Sequence, residues 1–528
     1  MGILAAGVSS AALAQAAPTP VDPREARIDQ LEAEVQDLAA EVQDLKRGQA
    51  AQIQTISDVQ AKEPAPPSVV TTIVNGVPSI ASTDGRFTAN FHGILQFDAG
   101  GYDQSQLGPT STDLRRSGPA LGASASNVDL VHARELKDGD DFRRARIGVD
   151  GRAFGDWDYK LIFDFAGSGV EDSGQLYEGW AQYSGLKPFH FRVGAWPQPI
   201  GLEDQMSTNS QMFLERPGIA DVARNLAAGD TRIGAGAFGY DNTWFVSADV
   251  TGRTIGVVNT GTFITSTTTG NVGTAQTYGD QVGFVGRAVF TPFHGSDWRV
   301  NLGAHGSYVD RPGNTSGPAA NGLIPDTGFG IRLKDTPELR VDGTQFIDTG
   351  TIPAHNASTV GGEVAAQKGP LFAEAEYESI HVDRADGQAS PTFTGWYVEG
   401  SWLLTGENRL YNASSAAFDG PAVKHPFSLS DGGWGAWELA ARYSDADLNF
   451  NPGAPGSAPV ADAIRGGDQK IFSVGLNWYP NQVFHFMVDF DHVEIDRLSP
   501  NAVVFGTPVG AQIGQTYNVI AVRSQAAF

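Results

Sequence analysis

The feature that most constrains this chain is an alternation of apolar and polar side chains that recurs along most of its length. In WDYKLIFDFAG, residues 157–167, Trp157, Leu161 and Phe163 alternate with charged residues such as Asp158 and Lys160. A period of two residues predicts a β-strand with one apolar face and one polar face. Similar segments of about 8–14 residues follow one another from about residue 86 to the end, and no helical period persists there.

Rows of charge share one face of single predicted strands. Glu374, Glu376 and Glu378 face one way, whereas Leu371 and Tyr377 face the other. Burying such rows in a dry core would cost several kcal/mol per ion, and no helices are available to cover the apolar faces of a soluble sheet. A closed barrel in a bilayer satisfies both faces, because lipid meets the apolar one and a water-filled lumen meets the charged one.

The connections between these segments alternate between short and long. Short turns at 154–156 and 185–188 are separated by long loops such as 197–229, as in outer-membrane barrels. Seventeen candidate strands can be counted, and an even number is required when both termini lie on one side. The weakest candidate, 338–348, is therefore assigned to a loop. The fold predicted is all-β, a 16-stranded antiparallel transmembrane β-barrel preceded by a short N-terminal α-helical coiled coil.

Composition excludes several classes of protein. The chain has 36 basic and 60 acidic residues, a formal charge of −24, which argues against a nucleic-acid partner. It has no cysteine, and its ten histidines form no convincing grouping with serine and an acid. We therefore expect no enzyme activity, no cofactor and no metal.

The N-terminal region divides into three parts. Residues 1–16 form a short apolar stretch that ends in a small-x-small cleavage pattern, which predicts a signal peptide whose basic start lies further upstream. Residues 24–60 carry a heptad pattern that predicts a coiled coil, with β-branched residues at a and leucine at d, a chemistry that leans toward two strands. A lone amphipathic helix folded onto a domain is the alternative. Residues 61–85 read as a Pro-rich linker.

The phase of each strand predicts which charges line the lumen. The predicted basic residues fall on the earlier strands: Arg144, Arg146, Arg152, Lys160, Arg192, Arg232, Arg287 and Arg299. The predicted acidic residues fall on the later strands: Glu374, Glu376, Glu378, Asp489 and Asp491. A basic wall opposite an acidic wall would orient dipolar and anionic solutes. The alternative is that these charges only hydrate the inner wall and pair with one another, without selecting solutes.

The loop at 197–229 is the predicted constriction. It is long and unusually apolar for a solvent loop, so it is expected to fold into the lumen, away from both lipid and bulk water. Its charges would then lie in the pore: Glu203, Asp204, Arg216 and Arg224 among them.

Several long stretches resemble the phosphate-selective porin O/P family of Gram-negative outer membranes. They include DFRRARIGVDGRAFGDWDYKLIFDFAG (141–167), GAWELAARYSDADLNF (435–450) and the ending VRSQAAF (522–528). The resemblance implies a 16-stranded homotrimer with inward-folded loops and a ladder of arginines that carries anions. It implies that Arg143, Arg144 and Arg146 match a series of basic residues on the second strand of the family. It also implies that 405–432 forms a periplasmic turn that folds into the barrel.

These features predict an outer-membrane porin for passive diffusion of small solutes, weakly anion-preferring and accepting phosphate or polyphosphate. Its partners would be outer-membrane lipid, two further copies of the chain, and small anionic or neutral solutes, with the coiled coil in the periplasm. The net charge and the acidic later strands argue against strong phosphate specificity. Two alternatives stay open: a general or sugar-accepting porin, and a barrel that anchors an envelope-tethering coiled coil.

Overall fold

The computed structural model describes two separate units, residues 23–62 and the residues from 69 onward. Within the second unit the described ranges are 69–74, 76–104, 135–166, 175–227, 231–255, 281–295, 297–310, 312, 330–500 and 509–528. The predicted signal peptide and the proline-rich residues 63–68 lie outside the described residues. None of the described helices has the length and apolar character needed to cross a membrane.

The first unit is a single helix, α1, over Pro23–Lys62. It contains the predicted coiled-coil segment. Its apolar heptad residues are between 46 and 66% exposed in the isolated chain: Ile28, Leu31, Val35, Leu38, Val42 and Leu45.

The second unit is built on sixteen long antiparallel strands. They are β1 Thr88–Asp103, β2 Gly139–Ala153, β3 Trp157–Asp164, β4 Gln175–Leu186, β5 Phe189–Trp196, β6 Arg232–Tyr240, β7 Trp244–Thr254, β8 Val282–His294, β9 Trp298–Asp310, β10 Ile352–Lys368, β11 Leu371–Arg384, β12 Thr392–Leu403, β13 Ala436–Phe450, β14 Ile464–Tyr479, β15 Phe484–Asp496 and β16 Thr516–Ala527. Each strand pairs with the next, and β16 pairs with β1, from Asn518 opposite Asp103 to Ala527 opposite Ile94. The predicted 16-stranded closed barrel is confirmed.

The two faces of the strands separate as the alternation predicts. On β3, Trp157, Leu161 and Phe163 are 39–47% exposed on the outside, whereas Asp164 is 7% exposed on the inside. The outer face is apolar because it meets hydrocarbon, and the inner face carries the charges. This is the arrangement expected of a barrel with water inside and lipid outside.

Part of the segment interpreted as a linker is instead a β-hairpin. Val69–Val74 pairs with Val77–Ser82, and the second of these strands pairs with the start of β1. The physical reason is local: VVTTIV is rich in β-branched residues that favour strands. An Asn-Gly dipeptide follows it, a strong hairpin signal, and Gly76 takes the positive φ of 85° that the turn requires.

Three long connections fold into the barrel. Residues 197–227 carry two short helices, α2 Leu202–Gln205 and α3 Gly218–Arg224. The connection between β9 and β10 carries short pairings at Gly330–Ile331, Lys334–Asp335 and Ile347–Asp348. As expected, 338–348 is no barrel strand. The connection between β12 and β13 forms a small hairpin, Arg409–Asn412 with Ala417–Pro421.

Apolar packing explains why α3 lies inside rather than in solvent. Its Ile219 and Val222 are at most 1% exposed and join a core with Phe393 and Tyr397 of β12. A Cβ at Gly395 would lie 2.5 Å from Ile219 Cγ1, so this glycine permits the close approach of helix and wall. The apolar sequence of the predicted constriction loop thus finds its partners on the inner face of the barrel.

Candidate functional site: the narrowed lumen

An open cavity of about 430 Å³ lies between the wall of the early strands and the segment 197–227. The wall contributes Arg146, Lys160 and Arg192, and the segment contributes Arg216 and Arg224. Carboxylates also line it, from Asp150, Glu178, Asp204 and Asp419. Five of the residues predicted as pore-lining or constriction cations therefore meet at one passage.

Most of these cations are already paired. Arg146 Nε donates to Asp164 Oδ2 at 2.7 Å, and its guanidinium lies 3.5 Å from the ring centroid of Tyr177. Lys160 Nζ lies 2.8 Å from Glu178 Oε2.

Arg192 and Arg216 are the exceptions in the cavity. Arg192 donates to Gln182 Oε1 at 2.7 and 2.9 Å, and its guanidinium lies 4.2 Å from the Trp180 ring centroid. Arg216 Nε reaches the backbone oxygen of Glu203 at 3.4 Å. Within the described part of the chain, neither guanidinium forms an ion pair with a carboxylate.

A bulge brings one more arginine inside. The register of β1 with β2 shifts between Gln96 and Phe97, which leaves Arg143 without an opposite residue. Its side chain turns inward beside that of Arg144, and its Nη2 donates to Glu215 Oε2 at 3.0 Å. A strict period of two cannot predict two adjacent inward residues.

Glu215 is the charged centre of the constriction segment. Besides Arg143 it meets Arg340, whose Nε lies 3.4 Å from Glu215 Oε2. Burial raises the pKa of the Glu215 carboxyl, but Arg143 and Arg340 outweigh burial and hold that pKa well below its usual range. The carboxylate is therefore kept ionised and holds two segments together.

The other predicted basic residues act elsewhere on the inner wall. Arg232 donates to the backbone oxygens of Asn225 and Leu226, and Arg287 donates to the backbone oxygens of Ser415 and Ala416. Both thus fasten inward-folded connections. The contacts of the remaining three are as follows: Arg144 Nη1 donates to Gln96 Oε1 at 2.6 Å, Arg152 Nε to Asp158 Oδ1 at 3.2 Å, and Arg299 Nη1 to the Asn242 backbone oxygen at 2.9 Å.

The predicted acidic residues all point inward, but the folded-in segments cover them. Each is 2–3% exposed: Glu374, Glu376, Glu378, Asp489 and Asp491. Glu376 accepts hydrogen bonds from the backbone N–H groups of Leu202 and Glu203, and Asp489 Oδ2 accepts one from Leu214 N at 2.7 Å. In this structure the acidic wall binds the constriction segment.

The constriction segment is also held by its own charges. Arg224 Nε donates to Asp204 Oδ1 at 2.5 Å, across the two short helices. Glu203, Asp204, Arg216 and Arg224 are each at most 8% exposed.

Several contacts in the lumen have no clear signal in the sequence. The alternation that places Arg299 on the inner face also places His305 there, but it does not predict that His305 lies between Glu363 and Glu378, at 3.1 and 2.6 Å. Arg409 donates to Glu438 at 2.7 Å. Arg340 belongs to a connection that resembles a solvent loop. Only the apolar residues around it, such as the 1%-exposed Leu339, indicate that this connection folds inward.

A closed sixteen-stranded barrel with a lipid-facing apolar surface and a charged, narrowed lumen defines an outer-membrane porin. The family model for phosphate-selective porins O and P matches residues 120–518, and the chain belongs to that family. It is a channel protein of the outer membrane, as its sequence predicts.

Two relatives illustrate the likeness in sequence. The chain is 24% identical to Porin O of Pseudomonas aeruginosa over 450 residues, covering 80% of this chain and 86% of that one. It is 23% identical to an uncharacterized protein of Caulobacter vibrioides over 461 residues, covering 85% and 77%.

Solved structures that are similar to this one include OmpT of Vibrio cholerae and an anion-selective porin from Comamonas acidovorans. The first has a TM-score of 0.45 at 10% identity and covers 84% of this chain and 98% of its own. The second has a TM-score of 0.42 at 11% identity and covers 84% and 100%.

Proposed function

We propose that this porin conducts small anions, phosphate among them, past Arg192 and Arg216. The observation that carries the proposal is that these two guanidinium groups line the open cavity without carboxylate partners in the described chain, whereas the acidic wall is covered. A fixed positive charge in a narrow aqueous passage attracts anions and repels cations. Guanidinium also matches phosphate oxygens in a bidentate geometry.

The balance of charge predicts a modest preference. The cavity carries five cations and four carboxylates, so its excess positive charge is small. We therefore expect a weakly anion-preferring pore rather than a strictly phosphate-specific one. Membership of a family named for phosphate selectivity supports phosphate as one of the solutes.

The decisive experiment is the reversal potential of the reconstituted channel in a KCl gradient, repeated with phosphate present. We expect anion preference in the wild type, reduced chloride conductance with phosphate, and loss of both in the double variant Arg192→Gln/Arg216→Gln. The matched control is Arg332→Gln, which removes a 44%-exposed guanidinium paired with Asp348 outside the cavity. Cation preference without any effect of phosphate would overturn the proposal while leaving the barrel intact.

We also infer that the chain assembles as a homotrimer and that α1 lies in the periplasm. The exposed heptad of α1 supports self-association, and the long connection between β12 and β13 lies at the short-turn end of the barrel. Short turns face the periplasm in outer-membrane barrels, and the chain enters β1 from that same end.

A further inference from the structure

Three buried carboxylates meet where the constriction segment touches the barrel wall. Glu203 lies on α2, Glu374 on β11 and Glu399 on β12, and each is 2–3% exposed. One ligand oxygen from each lies within 4.8 Å of the other two. Three like charges this close, away from water, are strongly unfavourable unless something neutralises them.

One oxygen of each carboxylate has no hydrogen-bond donor in the described chain. These atoms are Glu203 Oε2, Glu374 Oε2 and Glu399 Oε2. The second oxygens of two are engaged: Glu203 Oε1 accepts from Gln211 Nε2 at 3.1 Å, and Glu374 Oε1 accepts from the Tyr397 hydroxyl at 3.2 Å. The free oxygens are thus oriented by fixed neighbours.

A neutral side chain supplies an independent observation. Gln211 is 3% exposed, and its amide is held at the cluster by the bond to Glu203. Its Oε1 is buried and also lacks a donor within the described residues. A buried amide oxygen without a donor, on a side chain bonded to one of the three carboxylates, adds a possible fourth ligand for a hard cation. Such ions bind oxygen ligands and fill the remaining positions with water.

The nearby arginines offset only part of the negative charge of the cluster. Arg442 Nη1 lies 3.5 Å from Glu399 Oε2, but Arg442 Nη2 donates to Glu338. Arg409 pairs with Glu438.

A second group of possible ligands, His305, Glu376 and Glu378, differs in this respect. The imidazole nitrogens of His305 already bond to Glu363 and Glu378, and Glu376 accepts two backbone N–H groups and the Tyr397 hydroxyl. Hydrogen bonds within the protein satisfy that group, so we assign no ion to it.

We propose that Glu203, Glu374 and Glu399, with Gln211, bind one divalent cation of the calcium type. The ion joins α2 to two adjacent strands of the wall, so it fixes the constriction segment across the lumen. It also neutralises part of the negative charge of the acidic wall. The arginines on the opposite side of the lumen then determine the electric field in the passage. The sequence gives no sign of this site, because its ligands come from three separate segments. The proposal does not depend on the solute that the pore conducts.

The test is calorimetric titration of Ca²⁺ into the whole protein, refolded in detergent without lipopolysaccharide and freed of metal with a chelator. We expect one Ca²⁺ per chain. Glu374→Gln and Glu399→Gln should each weaken binding by at least about tenfold, since even the loss of an outer-shell partner costs that much. The control Glu494→Gln changes an exposed carboxylate on β15 and should bind Ca²⁺ like the wild type.

A wild type that binds no Ca²⁺ would overturn the proposal. The alternative in that case is that protons shared among the carboxylates reduce the negative charge of the cluster. Equal binding by the wild type and both glutamine variants would also overturn it, because the ion would lie elsewhere. Should the variants fail to fold, terbium luminescence of the wild type tests the site instead. Tyr397 lies close enough to sensitise a terbium ion bound at the cluster. Because Ca²⁺ competes for the same ligands, adding it should reduce this signal. A signal that Ca²⁺ does not displace contradicts the proposal.

Discussion

At the scale of single residues, most inward charges are paired, and the clearest pair closes the barrel. Arg523 on β16 donates to both carboxylate oxygens of Asp98 on β1, at 2.7 and 2.6 Å, and to the Leu214 backbone oxygen at 2.7 Å. The side chains are 1 and 4% exposed. This bidentate pair therefore joins the first strand, the last strand and the constriction segment.

Removing one partner of this ion pair should strongly reduce the stability of the barrel. Arg523→Met leaves a buried carboxylate without its counter-ion, and we expect a loss of about 3–5 kcal/mol in the free energy of unfolding. Urea unfolding in lipid vesicles measures it. The double variant Arg523→Met/Asp98→Leu should recover part of the loss, because no lone charge remains. A single variant as stable as the wild type would show that water solvates this pair.

The half-exposed pair of Arg152 and Asp158 provides the matched comparison. The Arg152 side chain is 50% exposed, and its Nε lies 3.2 Å from Asp158 Oδ1. Solvent screens such a pair, so Arg152→Met should cost no more than about 1 kcal/mol in the same assay.

Glu215 should make stability depend on pH. Its pKa is lower in the folded state than in the unfolded chain, so its contribution is complete above the ordinary value of about 4.3 and decreases as the pH falls below it. The difference in unfolding free energy between wild type and Glu215→Gln should therefore be larger at about pH 7 than at about pH 3. Denaturant titrations at both pH values measure it. A difference that grows on acidification would contradict this sign.

At the scale of elements, the constriction segment determines the width of the passage. Replacing residues 200–226 with a short Gly-Ser turn removes Arg216 and Arg224 from the lumen together with the apolar side chains that fill it. We expect a larger single-channel conductance and a weaker ion preference, because a wider pore carries fixed charge further from its axis.

The control for this deletion is the connection 451–463, which is mostly exposed and joins β13 to β14 at the same end of the barrel. Shortening it should leave conductance unchanged. A segment deletion with wild-type conductance would mean that ions pass by a route other than the cavity.

The sequence predicts the strands well because every second residue of a strand faces the same environment, either the lumen or the outside of the barrel. It predicts Arg146 and Lys160 as inward residues by phase alone, and both line the cavity. The alternation alone does not predict that Arg143 points inward, because a bulge breaks the phase; only the family resemblance singles this residue out. The sequence also does not predict that the acidic residues contact a folded-in segment, because the contacts of Glu376 and Asp489 are with backbone N–H groups far away in the chain.

At the scale of the whole molecule, two kinds of apolar surface are exposed on a single chain. The barrel exposes aromatic and aliphatic side chains that suit lipid. The helix α1 instead has a narrow heptad seam among charged residues, with Leu31, Leu38 and Leu45 exposed by 46–66%. A seam of this kind is stable in water only when another helix covers it.

We therefore expect α1 to stabilise the assembled porin. Leu38→Asp places a charge at a d position, where burial of each leucine is worth about 1.5–3 kcal/mol, so assemblies of the variant should dissociate at a lower temperature than the wild type. Gln36→Ala, at an exposed b position of the same turn, is the matched control and should dissociate like the wild type. Native mass spectrometry after stepwise heating counts the chains: three per assembly supports the homotrimer, and two would agree with the heptad chemistry alone. Identical dissociation of the wild type and Leu38→Asp would leave α1 without a role in assembly and would favour an envelope partner for the helix instead.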